Sequence, residues 1–307
     1  MDAFQSHAAF RTMDGSVARG SAAELAALSR IAPNRAGDLA FRRFCTPRQW
    51  PRWPENHQEL SARARYHLRN AGLVRVRNRE ADLQAYVFEP DVTPARGAVL
   101  LVHGWTSEAS FMMAFTEPLR RSGFRVVAFD FPAHGKSAGR CTNLAACARA
   151  MLRVVDALGP FDAVVAHSFG GLVALLVAEG GPPMPHTAAF QKMVLVATPN
   201  RLGDMTLDFG RTLGLTPAAQ RAYEAHICRV GHRPLATFSA VELLKSCRFP
   251  VLVIHSRDDD EVPFAHAEQI VAAAPAAELA AFEGLGHRKV LYAPPVTRRT
   301  MKYVAER

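Results

Sequence analysis

Five short, continuous apolar runs punctuate the chain: "GAVLLVHG" (97–104), "RVVAFDF" (125–131), "DAVVAHS" (162–168), "KMVLVAT" (192–198) and "PVLVIHS" (250–256). Runs this short, apolar throughout and rich in valine and leucine, are strands buried on both faces. Helical patterns separate them: about 108–122 closing at Gly123, 143–158 capped by Thr142 or Asn143, "FGGLVALLVAEG" (169–180), and about 263–274. "AELAAFEG" (277–284) and a helix from Val290 complete the series, and "LVRVRN" and "DLQAYVFE" precede it as two antiparallel strands. Strands alternating with helices require right-handed crossovers, hence an α/β fold with a mostly parallel twisted sheet and helices on both faces. In such sheets ligands meet the loops at the carboxyl ends of the strands.

Two stretches fall outside this rhythm. In the first, "SAAELAALSRIA" (21–32) reads as an amphipathic helix with Ser21 as cap and Glu24 three residues on. "TPRQWPRWPEN" (46–56) is an irregular connector, and "HQELSARARYHLRNAG" (57–72) a helix closing at Gly72. The second, 200–248, holds two or three short helices and no strand, placed between two core strands where a lid would sit. The expected division is an N-terminal helical extension (1–72), a core (73–199 and 249–307) and a helical lid insertion (200–248). At 307 residues and 49% hydrophobic, the chain is long and apolar enough for one large domain with such an insertion.

The net charge is +9, so acidic partners need weighing. The densest basic stretch, "ARARYHLRNAGLVRVRNR" (62–79), contains one tyrosine, too little for base stacking. No nucleic-acid partner is expected, and solvated faces of a helix and a hairpin explain the charge; peripheral attachment to anionic lipid is the alternative. No apolar run reaches 18 residues, which argues against membrane insertion. The start lacks an apolar segment of the secretory kind, so no signal peptide is expected. Cys45, Cys141, Cys147, Cys228 and Cys247 are odd in number and scattered, which suits reduced thiols in a cytoplasm. No H-E-x-x-H, C-x-x-C or Asp-rich calcium loop occurs, so neither a metal nor another cofactor is expected.

Ser168 stands between a buried strand and a helix. A serine on so sharp a turn projects its hydroxyl above the sheet, with the next amide, that of Phe169, aimed where an oxyanion would form. The turn needs small neighbours, which Ala166, Gly170 and Gly171 supply; a serine N-cap on an ordinary turn is the plainer alternative. His103-Gly104 ends another strand, and the amide of Trp105 is the matching oxyanion donor. A serine hydroxyl is a poor nucleophile until an imidazole removes its proton and a carboxylate fixes that imidazole. "HSRDDDEVP" brings three aspartates to the end of a strand, and His287 lies in a glycine-flanked loop late in the chain.

These segments, together with "DFPAHGKSAG" (130–139), resemble the α/β-hydrolase superfamily over 74–200 and 249–305. "DFPAHGKS" is similar to its D-x-P-G-H-G-x-S with Ala133 in place of a glycine; "HSRDDDEVP" is similar to its H-G-x-x-D-x-x-V-P with Ser256 in place of another. The resemblance implies the α/β-hydrolase fold and, in the order nucleophile, acid, base, Ser168, Asp259 and His287. Asp258, Asp260, Asp204 and Asp208 stay open as rival acids. "FCTPRQ" and "PPMPHTAAFQKMVLVATPNRL" are similar to a group of bacterial α/β hydrolases, which implies nothing about substrate.

The expected function is therefore cleavage of a small-molecule carboxylic ester or thioester through an acyl-enzyme. Carbon–carbon bond hydrolysis, perhydrolysis and non-catalytic ligand binding are the alternatives. Phe111 or Met112 is a candidate lining for an apolar acyl pocket, closed from above by Phe209, Tyr223 and Phe238. Arg201 is a candidate partner for a substrate carboxylate, a salt bridge to the lid being its plainer role. The oligomeric state is not legible.

Overall fold

The computed structural model describes residues 19–47, 59, 62 and 64–306. The apolar runs form strands β3 (Gly97–Val102), β4 (Phe124–Phe129), β5 (Ala163–His167), β6 (Lys192–Val196) and β7 (Val251–Ser256). Strands β1 (Gly72–Val76), β2 (Leu83–Phe88) and β8 (Ala277–Phe282) extend them. The sheet order is β1-β2-β4-β3-β5-β6-β7-β8; β1 and β2 pair antiparallel and every pair from β4 to β8 is parallel.

Both faces are buried, as the unbroken apolar runs require. Leu100 and Val102 of β3 join one core with α4 (Leu144–Leu158) and α5 (Phe169–Glu179). Their neighbours Val99 and Leu101 point the other way, into a second core with Leu119 of α3 (Thr116–Arg121) and Val296 of the last helix. That last helix (Pro294–Ala305) starts later than Val290, because Pro294 and Pro295 lack the N–H a helix interior needs and fit only its first turn. Pro118 does the same at 108–122: the stretch opens as a 3₁₀-helix (Ala109–Phe115) and becomes α-helical only at Thr116. Asn143 caps α4, its side chain accepting from Ala146 N at 2.9 Å.

In the N-terminal region α1 (Arg19–Ile31) is followed by α2 (Pro33–Phe44), for which no pattern argued. Most of the connector at 46–56 and the first half of the expected 57–72 helix lie outside the described residues. Residues 64–67 are helical, and Arg65 makes a two-pronged ion pair with the buried Glu108 at 2.6 Å for each prong. Arg69 stacks on Tyr66, so two arginines of the basic stretch, Arg65 and Arg69, are engaged internally.

Residues 200–248 contain α6 (Leu202–Thr212), α7 (Pro217–Gly231) and α8 (Ala240–Leu244). The segment leaves and returns at one point: Leu202 N donates to Phe238 O at 3.0 Å, and Asn200 Oδ1 accepts from Ser239 Oγ at 2.9 Å. α2 lies directly on α7. A Cβ at Gly37 would fall 2.6 Å from Ala222 Cβ, so only glycine permits the approach. Among the described residues no helix is long and apolar enough to cross a membrane.

The candidate active site

Ser168 terminates β5 with φ +53° and ψ −128°, a conformation that costs a non-glycine residue about 1–3 kcal/mol and that the packing around it must enforce. The enforcement is visible at the glycines that follow. A Cβ at Gly170 would lie 2.4 Å from His103 O, and one at Gly171 would lie 2.2 Å from Thr198 Oγ1. Ala166, two residues before the serine, is fully buried between Val102 and Leu195, so a methyl fits there. Gly170→Ala is expected to push α5 off β3. It should cost about 1–3 kcal/mol of stability in urea unfolding, because its clash is with backbone rather than with a side chain that can swing away.

After α9 (Ala265–Ala273) and β8, His287 lies on the turn of α10 (Gly286–Lys289). Its Nε2 is 3.0 Å from Ser168 Oγ and its Nδ1 is 2.8 Å from Asp259 Oδ2, with all three residues buried. Asp259 is further held by the amides of Glu261 (2.9 Å) and Val262 (2.8 Å) on Oδ1. Burial alone would raise its pKa. Hydrogen bonds from His255 and His287 and the nearby imidazole outweigh that and hold the carboxyl well below the usual carboxylate range. Burial likewise disfavours a charged His287, but the hydrogen bond and charge of Asp259 prevail and raise its pKa above 6.5.

The rival aspartates are elsewhere. Asp258 is exposed and accepts from Ser256 Oγ and Gly284 N, tying β7 to the turn that leads to His287. Asp260 is exposed, Asp204 lies 4.0 Å from His266, and Asp208 pairs with Arg211. Ser256, where the family motif has a glycine, accepts from Leu285 N and donates to Asp258, so it has a use of its own.

The Trp105 loop approaches the serine closely: a Cβ at Gly104 would lie 3.1 Å from Ser168 Cβ. Among the described residues, neither the Trp105 amide nor that of Phe169 donates to another protein group. A buried histidine sets the loop's path. His134 Nδ1 faces Pro132 O at 2.9 Å and Nε2 accepts from Thr106 N at 3.2 Å, an arrangement only the neutral ring satisfies. Burial accordingly lowers the His134 pKa to about 4. Asp130 of the same motif accepts from Ala109 N, Lys136 N and Tyr86 Oη, while burial pushes its pKa up to about 6. Lys136 and Ser137 serve this turn through the Lys136 amide and the Ser137 hydroxyl.

Phe111 and Met112 are buried in the core that contains Val99 and Leu101, whereas Tyr223 and Phe238 belong to the core on the opposite face of the sheet, with Phe209 packed against it. Arg201 is exposed at the start of α6, its backbone bridged to Ser239, and among the described residues its side chain forms no ion pair.

Two histidines beside Ser168 and Asp259 were not singled out by the sequence. His167 Nε2 lies 3.0 Å from the backbone oxygen of His287, and the two rings are 4.8 Å apart. His255 Nε2 is 2.8 Å from Val262 O and 3.2 Å from Asp259 Oδ2. His167 was marked only by its place next to the nucleophile and His255 only by opening the segment "HSRDDDEVP", and a histidine ending a buried strand looks the same when it merely fills a core.

Residues 99–298 match the family described as Alpha/beta hydrolase family. The chain belongs to that family. Membership assigns this α/β hydrolase to the hydrolases, and several relatives are named for what they cleave. One is a pimeloyl-[acyl-carrier protein] methyl ester esterase of Aromatoleum aromaticum, 29% identical over 65% of this chain and 94% of the relative. Another is Methylesterase 9 of Arabidopsis thaliana, 34% identical over 33% of this chain and 41% of the relative. Among solved structures, Est1E of Butyrivibrio proteoclasticus with bound ferulic acid superposes with a TM-score of 0.59, at 19% identity over 76% of this chain and 96% of that one. At that identity the likeness is one of fold.

Proposed function

We propose that this α/β hydrolase cleaves small-molecule carboxylic esters or thioesters through an acyl-enzyme formed on Ser168. The observation that carries this reading is the hydrogen-bonded series Ser168–His287–Asp259, ending on a serine held at positive φ. The relatives named as esterases support the choice of bond.

In the proposed reaction His287 Nε2 takes the Ser168 proton as Oγ attacks the acyl carbon. The carbonyl oxygen becomes an oxyanion between the amides of Trp105 and Phe169. Collapse breaks the bond to the leaving alcohol or thiol, which takes the proton from His287. Water then repeats the sequence on the acyl-enzyme: His287 accepts its proton, the acid departs, and Ser168 recovers a hydrogen. Asp259 keeps Nδ1 protonated throughout and offsets the charge on the imidazolium. We assign 200–248 as the lid of this site, 73–199 and 249–307 as its core and 1–72 as its extension, and we place the protein in a reducing compartment such as the cytoplasm on its five free cysteines.

A panel of p-nitrophenyl esters of increasing acyl length, run beside Ser168→Ala, tests the reading; equal turnover by both proteins contradicts it. The pH profile is a second test. His287 accepts a proton only when neutral, and its pKa is raised, so kcat/KM should rise with pH to a plateau with a midpoint above 6.5. A midpoint below 6.5 would mean that another group limits the rate.

A further inference from the structure

The loop that carries the Trp105 amide is held in a costly shape. Thr106, the next residue, has φ +52°, a left-handed conformation that β-branched residues rarely adopt. Such a conformation persists only where surrounding contacts enforce it. His134 Nε2 accepts the Thr106 N–H at 3.2 Å, and two buried carboxylates hold the residues that follow. Asp130 Oδ1 accepts from Ala109 N at 2.8 Å, and Glu108 Oε1 accepts from Ser110 Oγ at 2.6 Å.

Glu108 and Asp130 are 4% and 1% exposed, and the Glu108 charge disfavours that of Asp130. Burying two such carboxylates side by side is unfavourable unless a cation accompanies them. Arg65 supplies one. Its Nε and Nη2 meet Glu108 Oε1 and Oε2 at 2.6 Å each, the two-pronged geometry of a guanidinium on a carboxylate, and its charge also acts on Asp130. Arg65 belongs to the N-terminal extension and stands outside the residues, 99–298, that match the family. The ion pair therefore joins the extension to the loop three residues beyond the Trp105 amide.

We propose that Arg65 is a positioning residue for the oxyanion-binding amide of Trp105: by clamping Glu108 it fixes the strained turn, so the N-terminal extension serves the chemical step rather than substrate binding. The proposal rests on Ser168 being the nucleophile and on the Trp105 amide meeting the oxyanion. A donor stabilises a developing charge best when it is in place beforehand and need not reorganise. A loosened turn thus weakens the transition state while the ground-state ester, which carries no oxyanion, binds almost as before.

The test compares wild type, Arg65→Lys, Arg65→Met, the double variant Arg65→Met/Glu108→Gln and Ser168→Ala, each checked for folding by circular dichroism and thermal melting. The double variant removes both charges, so it leaves no lone carboxylate buried. The measurements are kcat and KM for p-nitrophenyl acetate and butyrate, and affinity for an alkyl trifluoromethyl ketone. Ser168 Oγ adds to the ketone carbon, its proton passes to His287 Nε2, and the ketone oxygen becomes the oxyanion. Arg65→Met and the double variant should lose about 10–100-fold in kcat on both esters, with KM changed about twofold or less, and bind the ketone weaker by a similar factor. Arg65→Lys, which keeps the charge but not the two-pronged geometry, should lose about three- to tenfold. A folded double variant with wild-type kcat and ketone affinity overturns the proposal whatever its melting temperature, because the ion pair would then serve stability alone. A raised KM at unchanged kcat overturns it as well, by moving the role to substrate binding. Should Arg65→Met and the double variant both fail to fold, Arg65→Lys with unaltered kcat and ketone affinity overturns it. Ser168→Ala as active as wild type would remove the hydrolase reading and this proposal together, whereas with Ser168→Ala inert the other outcomes bear on Arg65 alone.

Discussion

Ser168→Ala is expected to lower ester turnover on the order of 10⁵–10⁶-fold while leaving the fold intact. The size of the loss follows from how the group acts: without Oγ there is no acyl-enzyme, and His287 and Asp259 have no proton to move. The two amides remain, so a small residual rate above the uncatalysed reaction should persist. Stability should change in the opposite sense or hardly at all. Alanine at φ +53° bears the same backbone strain as serine, and it removes a half-satisfied buried hydroxyl. Comparing kcat by stopped assay with the urea midpoint of the same preparation separates the two quantities.

Asp259→Asn is expected to cost about 10⁴-fold in kcat, through His287 rather than through contact with substrate. The asparagine oxygen can still accept from the amides of Glu261 and Val262, which leaves its NH₂ group facing His287 Nδ1. Two donors cannot share that position, so the imidazole must carry its proton on Nε2 and no longer accepts one from Ser168. His255 Nε2, 3.2 Å from the same Oδ2, loses that contact and keeps the Val262 carbonyl at 2.8 Å. With the carboxylate gone, the main opposition to the burial of a charged His287 is lost, and the midpoint of the residual kcat/KM profile should move down from its wild-type position. A variant with lowered kcat and an unmoved midpoint would mean that Asp259 is not what raises the His287 pKa.

The sheet was legible because burial on both faces writes itself into a sequence as unbroken valine and leucine runs, and five of the eight strands carry that mark. The edges of elements were less so, since Pro118, Pro294 and Pro295 relocate helix starts without altering the apolar pattern. Ser168, Asp259 and His287 each follow a different strand of one parallel sheet, which is why residues far apart in sequence were readable as neighbours. α2 escaped notice because its exposed face is rich in arginine and its contact with α7 depends on a single glycine. The supporting histidines were hidden for a chemical reason. His134 and His255 stand inside the two segments that resemble family motifs, but their bonds to backbone and carboxylate groups, like that of His167 to the His287 backbone oxygen, leave no mark of their own in the sequence.

The most direct test of the central claim is intact-mass spectrometry of the enzyme rapidly quenched during turnover of a p-nitrophenyl ester, followed by peptide mapping. A mass increase equal to one acyl group, mapped to Ser168 and absent from Ser168→Ala, is the predicted result. Turnover with no acylated species on any quench timescale, or an acyl group mapped to another residue with Ser168→Ala still active, would contradict it.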